Sequence, residues 1–194
     1  MTRGLRAASL ALAILLAGYT IASAPAERTR SRGTFASRLL GPVAPLAAAI
    51  EWGRFDAAVR AGDETRAWEH ADRALLLDPE DPDGWKYLAH YAVFDRGSPR
   101  RTDDRLERQR WVEFGIAVLE RGEREAANPG PVAFKLGVVY LALAQQDDAD
   151  RSLPISSRET WSRAAAAFER AAAADEPVAA EAARLSRAEA ERGG

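Results

Sequence analysis

Two histidines, two acidic clusters and five tryptophans are the residues of this chain with chemistry to offer. His70 and His90 fall in separate expected helices, with no His-Glu-x-x-His spacing to aim two ring nitrogens at one metal. A surface or half-buried histidine is the plainer reading of both. Asp78, Glu80, Asp81 and Asp83 suggest a calcium loop, but Pro82 occupies a position where that loop needs a ligand. A turn between helices accounts for all four acids. Asp147, Asp148 and Asp150 read as a solvated loop tip. No glycine-rich phosphate loop and no Gly-x-Ser-x-Gly stands in the sequence, and nothing groups a serine with a histidine and an acid. The lack of cysteine excludes disulfides, thiolate ligands, a cysteine nucleophile and a lipid-modified amino-terminal cysteine. The expectation is a protein that is not an enzyme and carries no metal or cofactor. The tryptophans fit core positions better than ligand stacking, Trp85 and Trp161 above all.

The elements that must carry these residues are helical. Hydrophobic residues make up 47% and charged residues 29%, which sets the chain apart from disordered sequences. Alanine, the best helix former, is abundant. Lys86 and Lys135 are the only lysines; the remaining basic residues are arginine, a bias of composition. The net charge of -2 conceals an amino-terminal segment, residues 1–47, in which six arginines face only Glu27. The body is therefore mildly acidic, the opposite of the concentrated basic face a nucleic-acid-binding domain needs.

Arg3 and Arg6 precede an uncharged run from Ala7 to Ala26 with LALAILLAG at its centre. Twenty helical residues span ~30 Å, the thickness of a bilayer's hydrocarbon core. The run also has the layout of a secretory signal, with Ala24-Pro25-Ala26 as a cleavage site. Arg28, Arg30, Arg32 and Arg38 follow at once and resist translocation, which favours a retained single-pass anchor over a cleaved signal. Counting positive charges places the body in the cytoplasm, whereas a signal-like reading exports it; both orientations stay open. Residues 27–47 read as a linker and lead-in. Within them Leu39 begins the stretch LLGPVAPLAAAI, which is too short and proline-broken to span. It suits the entrance to a first helix or a position in the membrane interface.

From residue 48 to 192 apolar residues recur at helical spacing, punctuated by turn signals. Trp52, Phe55 and Val59 mark one helix; Gly62 turns the chain; Ala67, Ala71 and Ala74 with Trp68, Leu75 and Leu76 mark the next, closed by Asp78-Pro79. Pro82 opens a second unit with Trp85, Leu88 and Ala89, and Ala92 beside Tyr91. A polar insertion, Asp95–Asp104, precedes a long helix over about 105–126 bearing Trp111, Phe114, Val118 and Leu119, ended by Asn128-Pro129-Gly130. A third unit has Leu136, Gly137 and Tyr140, a second insertion over about 145–157, and then Ala164, Phe168 and Ala171. After Pro177 a final amphipathic stretch contains Leu185. In spacing and residue type this chain resembles the tetratricopeptide-repeat (TPR) family over residues 48–192, with degenerate repeats and two insertions.

The resemblance implies an all-α, helical-hairpin solenoid of about three repeats plus a capping helix. It implies a protein-binding groove lined by the first helix of each repeat. Carried over, that groove holds Trp52, Asp56 and Val59, then Asp83, Lys86, His90 and Val93, then Phe134, Val138 and Leu141. The family's basic clamp for a terminal carboxylate is absent apart from Lys86. A largely apolar, aromatic groove with one cationic spot suits an apolar or amphipathic segment of a partner protein. Two outcomes are open for it: exposure to a partner, or cover by one of the insertions. The implied function is a membrane-tethered protein-interaction scaffold, held by residues 7–26; the alternative is an exported, cleaved structural subunit of an envelope complex. Partner identity, process and self-association are not written in the sequence.

Overall fold

The computed structural model describes residues 39–146 and 153–192, and within them seven α-helices and no strand. The expected anchor, the arginine-rich linker up to Arg38 and the acidic tip Asp147, Asp148 and Asp150 lie outside the described residues. Among the described residues no helix is long and apolar enough to cross a membrane.

Four of the seven helices start at a side-chain cap. Helix α1 (Ala44–Ala61) is entered through a 3₁₀ turn at Gly41–Val43 and closes at Gly62, whose φ of 73° is left-handed and free of steric cost only for glycine. Asp63 then caps α2 (Glu64–Leu77), its carboxylate accepting the Arg66 N–H at 3.1 Å. Asp81 does the same for α3 (Pro82–His90), accepting from the Asp83 N–H at 3.0 Å, and Pro82 takes the first helical position, where no N–H is missed. Asp104 caps α4 (Arg105–Glu125), and Ser156 caps α6 (Ser157–Ala173). Asn128 and Pro129 lead into α5 (Gly130–Ala144), and α7 (Ala179–Arg192) completes the chain.

Neighbours in sequence are neighbours in space. Helix α1 packs on α2, α3 on α4, α5 on α6 and α6 on α7, while α3 also meets α5 and α4 meets α5. Close approach depends on small residues set opposite large ones. A Cβ on Gly122 of α4 would come within 2.5 Å of the Trp85 ring, and one on Gly137 of α5 within 2.6 Å of Phe168. Trp85 and Phe168 are among the most buried side chains, and the Trp85 ring N–H donates to the Pro79 carbonyl at 2.8 Å. A second tie, from the Ala127 N–H to the Glu80 carbonyl at 3.0 Å, joins the α2–α3 turn to the α4–α5 turn. Trp161, expected in the core, is instead only partly buried.

After His90 the chain departs from regular helix into a π turn, Tyr91–Arg96. A π turn holds an extra residue, so the faces beyond it are rotated relative to an α-helical reading. Val93, which the repeat register assigns to the groove, accordingly points into the core. It is 4% exposed, and a Cβ on Gly115 would come within 2.5 Å of it. Phe94 takes the outward position.

Candidate functional site

The groove residues expected from the sequence divide into three sets. Trp52 is half-buried, its ring edge-on to Phe55 at 5.6 Å and to Tyr87 at 5.4 Å, where it carries α1 onto α3. Asp56 beside it accepts a hydrogen bond from the Tyr87 hydroxyl, and burial, followed by that bond, raises the phenol's pKa to about 12. Phe134, Val138 and Leu141 on α5 are also half-buried. Phe134 lies 5.3 Å from the Phe168 ring, and Phe134 and Val138 both pack against the core. These side chains mainly hold helices together. Lys86 and His90, on α3, form the third set and remain on the surface face.

A residue the repeat register passes over completes that face. Lys135 of α5 reaches across to α3, donating from Nζ to His90 Nδ1 at 3.2 Å and lying 5.3 Å from the Phe94 ring centre. The His90 and Phe94 rings are 5.0 Å apart. Burial, and then the nearby Lys86 charge, push the Lys135 pKa down, and burial followed by Lys135 does the same to His90. Lys86 has Asp83 at 2.6 Å, whereas among the described residues no carboxylate lies within ion-pair distance of Lys135. The sequence did contain a signal: the two lysines of an otherwise arginine-only chain come together on this face.

The first insertion borders this face without covering it. A groove of about 430 Å³ runs between Tyr87, His90, Tyr91 and Phe94 on one side and Asp95, Ser98, Arg100 and Arg101 on the other. Several polar groups of the insertion are paired locally. Arg101 pairs with Asp95 at 2.9 Å, Thr102 donates to Glu107 at 3.0 Å, and buried Arg108 donates to the Thr102 and Asp103 carbonyls. The second insertion returns at Leu153, which is buried in the core.

A second aromatic cluster sits where α2, the π turn and α4 meet. Trp68 stacks on Trp111 at 5.3 Å and 19°, with Tyr91 and Phe114 against the same ring. Arg96 lies 5.0 Å from the Trp111 ring centre and pairs with Glu64 at 2.7 Å. His70, the other histidine, ties α2 to α1: its Nδ1 is 2.6 Å from Glu51, whose carboxylate also takes Arg54 at 2.5 Å. The His70 hydrogen bond, with that from Arg54, holds Glu51 below the usual carboxylate range. Among the described residues no group of three or more histidine, aspartate and glutamate side chains is placed to hold a metal ion.

No family model matches this chain, and no curated protein or solved structure shows a significant similarity to it.

Proposed function

We propose that this protein is a membrane-tethered interaction scaffold, a degenerate TPR-like solenoid whose α3–α5 face binds an amphipathic, acidic-edged segment of a partner protein. The single observation that carries the reading is Lys135: a partly buried ammonium beside Lys86, bonded to a histidine and set over an aromatic ring, with no acid to match it among the described residues. A buried charge costs free energy unless something compensates it. A partner carboxylate would supply that compensation, and Phe94, Tyr87 and Tyr91 would take the apolar side of the same segment. The repeat-like pairing of successive helices, with glycine opposite Trp85 and Phe168, supports the solenoid architecture. The uncharged run 7–26 supports the tether.

The test is affinity capture from native membranes with tagged full-length chain and a His90→Ala, Lys135→Glu double variant. Phe134 and Val138 make poor probes, because acids there would break core packing against Phe168. A partner lost with the double variant, at unchanged circular dichroism, supports the reading. Equal capture by both proteins overturns it.

A further inference from the structure

We propose that the outer face of α1 lies in the head-group layer of an anionic bilayer and fixes how the helical body sits on the membrane. Leu39, Val43, Leu46 and Ile50 are 74%, 51%, 62% and 50% exposed, the longest run of exposed large apolar side chains in the described chain. Leu46 and Ile50, one turn apart on α1, face away from the buried Ala44, Ala48, Phe55 and Ala58, while Val43 at the end of the 3₁₀ turn and Leu39 before it extend the exposed apolar surface at the entrance of the helix. Soluble surfaces seldom carry such a stripe without a use for it.

The surrounding charges select the occupant. Between Arg28 and Ile50 the sequence has no acidic residue, while Arg28, Arg30, Arg32 and Arg38 lead into the stripe. Arg54 and Arg60 flank its far end, both exposed. Glu51, which follows Ile50, is buried and spends its carboxylate on Arg54 and His70. An exposed apolar stripe preceded by arginines and free of acid up to Ile50 is the pattern of a segment lying in a membrane interface, where arginines meet lipid phosphates. A second copy of the chain on this face would bring those arginines toward one another. Distance agrees as well. The proposal rests on the tether proposed above, and the twelve residues 27–38 between the apolar run and Leu39 can span at most about 40 Å. The stripe is thus kept within reach of the bilayer, and burying it needs no further partner.

Because the chain lacks cysteine, a single introduced thiol reports from one position only. Full-length protein with Leu46→Cys carries an environment-sensitive fluorophore and is reconstituted into phosphatidylcholine vesicles containing phosphatidylglycerol. Ala166→Cys, on an exposed position of α6, serves as control. The expected result is co-flotation of both proteins, with the Leu46→Cys label blue-shifted and quenched several-fold more by lipid-borne nitroxide than by aqueous iodide, and the reverse for the control. Co-flotation with a Leu46→Cys label quenched by iodide overturns the stripe proposal but leaves the tether standing. A label shielded from both quenchers means protein covers the stripe, and also overturns it. Failure to float overturns tether and stripe together.

Discussion

The α2–α4 junction and the α3–α5 face are made of the same materials, aromatic rings and a cation, yet they differ in what surrounds the cation. At the junction Arg96 finds Glu64 at 2.7 Å, Glu107 at 3.8 Å and the Trp111 ring beneath it. The charge is answered within the fold. Across α3 and α5, Lys135 finds a histidine, a phenylalanine and another lysine. The first arrangement spends its aromatic surface on joining helices, and the second leaves a charge to be met from outside. Aromatic content alone therefore does not mark a binding site; the compensation of the charge beside it separates the two.

Substitutions at both places test that contrast, beginning with the largest effect. Trp68→Ala removes the ring on which Trp111, Tyr91 and Phe114 converge and is expected to cost about 3 kcal/mol in urea unfolding. A loss below ~1 kcal/mol would mean the junction is not a structural joint. Arg96→Ala should cost about 1 to 2 kcal/mol, since its ion pairs are partly solvated but its stacking on Trp111 is lost. Lys135→Glu, by contrast, should leave unfolding within about 0.5 kcal/mol of the parent while weakening partner capture at least about tenfold.

Much of the fold was legible because its signals are local. Gly62 with Asp63, Asp81 with Pro82, and Ser156 each mark a helix boundary by a backbone preference or a capping oxygen. Gly137 and Phe168 were each marked by the repeat pattern, and the structure sets the one against the other. The candidate site was legible only in part. Lys86 and His90 were expected together on one face of their helix and lie side by side on α3, but YAVFDR reads as ordinary helix, and the extra residue of the π turn exists only in its backbone hydrogen bonds. That is why Val93 was expected outside and Phe94 was not. Lys135 was missed because the resemblance put its neighbour Phe134 on the groove, whereas Phe134 is drawn inward by Phe168.

Acidification gives the subtler tests. Burial and Lys135 hold the His90 pKa below its ordinary 6.5, so the unfolded chain takes up the proton first as pH falls. Stability tied to neutral His90 is complete above pH 6.5 and declines as pH drops through that value toward the folded-state pKa. Urea midpoints of parent and His90→Gln chains compared on either side of this window should show a small parent-only decline. Glu51, whose carboxyl is held low by His70 and Arg54, acts lower on the scale. Its contribution is present above the ordinary carboxylate pKa of 4.5 and fades as pH falls through the folded-state value. An Arg54→Ala chain should lose part of that dependence.

The contrast between the two aromatic regions is tested most directly by photocrosslinking in native membranes, with a benzoylphenylalanine placed at Phe94 in one chain and at Phe114 in another. Both positions are exposed, one on the face and one at the junction. The account predicts a discrete adduct from position 94 that disappears when Lys135→Glu is added, and none from position 114. An adduct from 114 alone, or one from 94 that survives Lys135→Glu unchanged, would contradict it.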